Sequence, residues 1–265
     1  MNGGAFSLTK WYFDGTCADG RAFIAYWASV AWRSLAFTWQ DLWVFGADGA
    51  ATHRSSLAAG PPPQPAGGAF SWKSAALDAS IRVEPTVPSI AERLLESELG
   101  IIDWRVPAPA ALVTADFAGS PSMAARGYVE CITMTIPPWR LPIRELRWGR
   151  WMDTQAERSV VWIEWRGEQP RTWVYVDGRR SEVGGRGVLD DEVDVGDVHL
   201  SLRPRRTLHD RSLAQVVDHI PLARAALPES LLALRQTKGI SSAEFIEAGQ
   251  STRSGDAIHE TVVFR

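Results

Sequence analysis

Two carboxylates in this chain stand where a β-strand would be expected to carry hydrocarbon. In "RGYVECITMTI", residues 126–136, alternation puts Tyr128, Glu130, Ile132, Met134 and Ile136 on one face and Val129, Cys131, Thr133 and Thr135 on the other. An acid on an apolar face is either paired or uncharged, because desolvation disfavours the charged form. An uncharged carboxylic acid is a proton donor, which makes Glu130 a candidate general acid. A salt bridge to Arg144, Arg147 or Arg150 is the alternative, and a reversal of the two faces would leave Glu130 solvated. The run "GDAIHETVVF" near the C-terminus repeats the pattern. Ile258, Glu260, Val262 and Phe264 share one face, while His259, Thr261 and Val263 share the opposite one. This reading puts Glu260 inside and His259 on the far side. The two acids form either an acid and base pair or a partly buried polar network, and periodicity alone favours the network.

Between these runs lies "PPWRLPIRELRWGRW". Pro137 and Pro138 end the preceding strand, and Pro142 keeps the next segment extended. Trp139, Trp148 and Trp151 fall close to several arginines, a cation–π pattern that is usually structural but also suits a wall facing a cationic intermediate. The chain has 13 Trp against 4 Tyr and 9 Phe, which fits either a Trp-rich β core or a cavity walled by indoles.

Other chemistries find no support. There is no phosphate loop, CxxC pair, HExxH or GxSxG, and "GGRG" at 184–187 lies between polar residues rather than between a strand and a helix. Histidines at 53, 199, 209, 219 and 259 lack metal-ligand spacing, so no metal site is expected. A net charge of −3 and a pI of about 6.0 give no nucleic-acid footprint. Cys17 and Cys131 lie far apart and read as reduced thiols in a cytoplasmic protein. The stretch "MNGGAFSLTKWYFDG" has no signal-peptide pattern, and no window is apolar enough for a membrane helix. Peripheral contact with lipid is compatible with these features.

The elements that must position the two acids are strands. "KWYFDG", "AFIAYWASVAW" and "LAFTWQDLWVFGADGAATH" read as a β-meander with Asp-Gly turns. "GYVECITMTI", "SVVWIEWRG", "TWVYVDGRR", "DVHLSLRP", "AEFIEAG" and "DAIHETVVF" supply a second set. Residues 58–68, "AAGPPPQPAGG", are expected to be a loop that holds no ladder. Two helices are expected. One is "SIAERLLESEL" at 89–99, with a Ser89/Glu92 capping box and a stripe of Ile90, Leu94 and Leu95. The other is "LPESLLALRQTKG" at 227–239, with Pro228 at its start and Gly239 after its end. The pattern is all-β, with one unit over 1–120 and a second over 121–265.

The motifs "KWYFDG", "GYVE", "PWRLPI", "LRWGR", "VVWIEW" and "GDAIHE", in that order over most of the chain, resemble the hydroxyneurosporene synthase family. That family contains carotenoid 1,2-hydratases and AttH-like proteins and is distantly similar to tocopherol cyclases. The resemblance implies two lipocalin-like antiparallel β-barrels packed together, with an apolar ligand at or near their contact. It implies chemistry without metal or organic cofactor: a carboxylic acid protonates an isoprenoid double bond, and water or an internal nucleophile captures the cation. On that basis Glu130, Glu260 and Asp14 are the catalytic candidates, and Tyr12, Tyr128, Trp139, Trp148, Trp162 and His259 the substrate-binding ones. Asp14 reads equally as a turn-starting residue before Gly15. The chain departs from the family pattern in "TKGIS", where Thr237 and Gly239 replace an acid and a Trp. The competing reading is a carrier that holds a hydrophobic molecule without changing it.

Overall fold

Val, Ile, Thr, Trp and Tyr fill the pleated runs of this sequence, and Gly or Asp-Gly pairs stand between them, so strands and tight hairpins follow. At Asp177 and Gly178, φ values of 49° and 76° give the two left-handed residues that a two-residue hairpin needs. The structure, a computed structural model, describes residues 6–182, 184–217, 229–247 and 251–264. It is all-β, with two lipocalin-like antiparallel sheets. By internal contacts the chain divides into Met1–Pro137 and Pro138–Arg265.

The first unit contains β1 (Phe6–Thr16), β2 (Ala22–Trp32), β3 (Leu35–Phe45), β4 (Ala51–Ser56), β5 (Gln64–Ala66), β6 (Ala69–Ser74), β7 (Ala79–Pro85), β8 (Ile90–Ser97), β9 (Gly100–Phe117) and β10 (Met123–Met134). Their order in the sheet is β4-β3-β2-β1-β10-β9-β7-β6-β5, with β8 paired to β9. The expected meander is present as β1 to β4. The core of this unit gathers Phe13, Phe23, Trp27, Leu42, Trp72 and Val129 on one face of the curved sheet.

The second unit contains β11 (Ile143–Asp153), β12 (Ser159–Gly167), β13 (Arg171–Val176), β14 (Arg179–Arg180), β15 (Gly187–Val188), β16 (Glu192–Val195), β17 (Val198–Ser212), β18 (Arg235–Glu247) and β19 (Arg253–Val263). The order is β14-β13-β12-β11-β19-β18-β17-β16-β15. Its core collects Trp151, Val160, Trp162, Val174, Leu200, Phe245 and Ala257. Two short helices are described, α1 (Leu213–Val217) and α2 (Glu229–Leu232). No helix among the described residues is long and apolar enough to cross a membrane.

Four expectations are corrected. The division falls at Pro137/Pro138 rather than 120/121, because β10 pairs with both β1 and β9 and so belongs to the first sheet. Residues 90–97 are strand β8, not helix. A bulge between Arg93 and Leu95 lets Leu94 and Leu95 both be buried, so the supposed helical stripe is a bulged strand face. Of the described residues of the second expected helix, 229–232 are helical; β18 starts at Arg235, Gly239 lies within it, and Leu227 and Pro228 are outside the described residues. The Pro-rich loop also contains β5, whose Pro65 is tolerated because β5 is an edge strand with one neighbour.

Candidate functional site

In the first unit, Glu130, Tyr12, Tyr26 and Asp41 lie directly opposite one another along the ladders of β10, β1, β2 and β3, so they share one face. Tyr128 and Asp14 form the next pair on that face. The carboxylate of Glu130 accepts hydrogen bonds at Oε2 from Trp104 Nε1 at 2.7 Å and from the Tyr128 hydroxyl at 2.8 Å. The Tyr12 hydroxyl donates to Asp14 Oδ2 at 2.9 Å. The Tyr12 ring lies 5.2 Å from that of Tyr26 and 6.1 Å from that of Tyr128, centre to centre. Asp41 accepts from Trp43 Nε1 at 3.0 Å and lies 2.6 Å from His53 Nε2. Glu130, Asp14 and Asp41 are all buried. One sheet face therefore holds three carboxylates among phenol and indole groups.

This face is not the one that carries the core. Val129 belongs to the core cluster together with Phe13, Ala25 and Leu42, all on the side opposite Glu130. Both sides of β10 are buried, with Tyr128 and Val129 each at 0 % exposure, so alternation could not tell which was the interior. Asp14 sits inside β1 rather than opening a turn. Gly15 follows it because the Phe23 ring occupies the place a Cβ would take, 2.3 Å away.

In the second unit the same inversion occurs. His259 lies opposite Gly149 and Gly239, on the face of Trp162 and Ala257, both members of the core. Glu260 lies on the other face, opposite Trp148 and Lys238. The expected placement of Glu260 inside and His259 outside is thus reversed. Ile258 and Val262 beside Glu260 are buried too, and this is why the run looked like an inward face. Glu260 is ion-paired to Lys238 Nζ at 2.9 Å and accepts from Gln236 Nε2 at 2.6 Å. The Lys238 ammonium, 2 % exposed, lies 4.9 Å from the centre of the Trp148 ring. His259 Nε2 is 2.8 Å from Ser241 Oγ, and burial lowers the imidazole pKa below its ordinary value.

A cavity of about 440 Å³ opens in this unit, lined by Trp148, Trp162, His259 and Glu260 among others. Eight of the nine residues singled out in the sequence therefore fall into two groups. Tyr12, Asp14, Tyr128 and Glu130 meet in the first unit, and Trp148, Trp162, His259 and Glu260 surround the cavity of the second. Trp139 joins neither group and is half-buried in a short 3-10 turn, Pro138–Arg140. The sequence reading missed Trp104, which reaches Glu130 because β9 and β10 set it opposite Ile132. It also missed Asp41, Lys238 as the partner of Glu260, and Ser241. A hairpin between "GIIDWRVPAPA" and "GYVECITM" was the signal for Trp104. Among the described residues, no group of three or more His, Cys, Asp or Glu could hold a metal.

No family model and no curated protein matches the chain. Solved structures do. An AttH-type protein of Nitrosomonas europaea superposes with a TM-score of 0.62 at 12% identity, over 98% of this chain and 94% of that one. CghA crystallised with Sch210972 gives a TM-score of 0.58 at 11% identity, over 98% and 89% of the two chains. Kievitone hydratase of Nectria haematococca gives 0.58 at 8% identity, over 99% and 89%. The chain has the AttH-like fold. The likeness is one of backbone architecture over nearly the whole length. Within this AttH-like fold, the carboxylate face of the first unit and the cavity of the second are features of the chain's own residues.

Proposed function

We propose that the protein is a hydratase-type enzyme that protonates a carbon–carbon double bond of an apolar unsaturated small molecule, with isoprenoids as the substrate class. The observation that carries this reading is Glu130, a buried carboxyl group whose Oε2 is gripped by one indole N–H and one phenol O–H. Those two donors fix the direction of the carboxyl group, and positioning is a large part of proton-transfer catalysis. In the forward step the Glu130 proton goes to one alkene carbon and the positive charge appears on the other. Water or an internal nucleophile adds there, and the proton it loses returns to the carboxylate. The rings of Tyr12 and Tyr128, 6.1 Å apart centre to centre, are the aromatic groups assigned to stabilise that charge. Asp14, held by Tyr12, is the second carboxylate available to stabilise it. The reaction so written uses no cofactor. Glu260 anchors a charged network with Lys238, while Trp148, Trp162 and His259 contact ligand in the second unit.

A carrier reading has its own support. The cavity of about 440 Å³ is of ligand size, and the acid beside it, Glu260, is paired to a lysine rather than poised to donate. Glu130→Gln separates the two readings. The amide oxygen can still accept from Trp104 and Tyr128, so the fold and ligand binding should survive. Incubation with a panel of linear and cyclic isoprenoid alkenes, read by mass spectrometry for gain of one water or for an isomer of equal mass, should show product with the wild type. The variant should be slower by about 10²- to 10⁴-fold, the usual contribution of a general acid. Binding without any product, in wild type and variant alike, would support the carrier.

A further inference from the structure

His259 has a glycine opposite it on both neighbouring strands, Gly149 on β11 and Gly239 on β18. The two empty places have different uses. At Gly149 the space is filled, since a Cβ would stand 2.1 Å from the Trp162 ring. At Gly239 it is less crowded: the nearest atoms to a Cβ would be the Arg206 carbonyl oxygen at 3.3 Å, a tight contact that a small shift relieves, and the His259 ring at 3.8 Å, an ordinary one. The backbone there needs no left-handed φ, so glycine is not required for conformation. The missing side chain becomes part of the cavity instead.

The chemistry of the lining narrows what could fill it. Ser241, fully buried, holds the imidazole of His259 through Nε2 at 2.8 Å. Desolvation favours the neutral ring, which carries one N–H donor and one acceptor nitrogen. Three of the cations lining the cavity are ion-paired: Arg147 with Glu145 and Asp190, each at 2.6 Å, Arg205 with Asp256 at 2.7 Å, and Lys238 with Glu260 at 2.9 Å; Arg206 lines it as well. Trp162, Val188 and Leu202 give apolar wall. Against the buried wall beside His259, an ionised solute would give up hydration while the Lys238 and Arg147 cations are already engaged by carboxylates.

We propose that this cavity binds an uncharged small molecule bearing a hydroxyl or carbonyl group, that His259 is its hydrogen-bonding anchor, and that the bare Gly239 sets the room available. The proposal is independent of the reaction assigned to Glu130. Calorimetric titration of the full chain with naphthol, naphthalene and naphthalenesulfonate tests it. Naphthol should bind about tenfold more tightly than either of the others, the effect of roughly one hydrogen bond. It should also shift the ring-nitrogen NMR signals of one histidine, absent from spectra of His259→Phe. His259→Phe should bring naphthol down to the affinity of naphthalene, and Gly239→Leu should weaken both by about tenfold or more. If Gly239→Leu fails to fold, Gly239→Ala decides, with a smaller loss in the same direction. Absence of naphthol binding to the wild type, affinity unchanged by the glycine substitution in a folded variant, or preference for the sulfonate would each overturn it.

Discussion

Glu260 and His259 are sequence neighbours with opposite physical roles. Glu260 compensates the Lys238 ammonium, and removing one partner of a buried pair leaves the other charged without relief. Glu260→Gln is therefore expected to cost about 3–5 kcal/mol in urea unfolding, against about 1 kcal/mol for His259→Gln, which loses a single hydrogen bond to Ser241. The double variant Glu260→Leu with Lys238→Met should recover most of the loss. Equal stability of Glu260→Gln and wild type would mean that the pair does not hold this part of the sheet. The histidine acts through pH. Its folded pKa is lowered from 6.5 by desolvation, so on acidification the unfolded chain takes the proton first. Above pH 6.5 neither state is protonated and the group contributes nothing; below it, stability falls until the folded-state pKa is passed. The difference in melting temperature between wild type and His259→Gln should therefore move against the wild type from pH 8 to pH 5. A difference independent of pH would remove this group from the acid sensitivity.

At the scale of elements, the second sheet depends on close approaches that only glycine allows. β11 passes under the Trp162 indole at Gly149, so Gly149→Ala puts a methyl group into an occupied ring position. Overpacking of that kind costs about 1–3 kcal/mol, and the tryptophan must leave its place for the strand to keep its register. A drop in the urea midpoint together with a changed near-ultraviolet circular dichroism spectrum is the expected result; an unchanged spectrum would show that Trp162 is free to move. The same scale shows what pattern reading misses. Ile90, Leu94 and Leu95 have helical spacing, yet β9 offers ladder partners along the whole of β8, and one bulge turns the spacing into a strand face. Tertiary pairing outweighed local propensity there, as it did at β18.

For the whole molecule, the governing feature is pairing between distant strands. β1 meets β10 through Leu8 and Met134, and β11 meets β19 through Glu145 and Val263. Each sheet thus closes its central ladder only when its last strand is present. β19 lies between β11 and β18, so a chain ending before Arg253 lacks the centre of the second sheet. Such a truncation should lose the near-ultraviolet signal of the Trp151 and Trp162 core and become prone to aggregation through two unpaired edges. A native-like spectrum from the truncated chain would refute the importance assigned to this strand.

The sequence by itself determined the first meander, most of the long strands of the second unit and the partition of side chains between the two faces of each of those strands. Tyr128 with Glu130, and Ile258 with Glu260, share faces as alternation requires, because the period of two is a property of the local backbone. The tertiary structure decided which face belongs to the core. With both faces buried, hydrophobicity carried no sign of direction, and Glu130 and Glu260 both fell opposite the core while His259 fell on its side. Partners such as Trp104 for Glu130 and Lys238 for Glu260 were settled by register between strands far apart in the chain, bulges included, and register is set by packing and turns across the sheet rather than by any one strand.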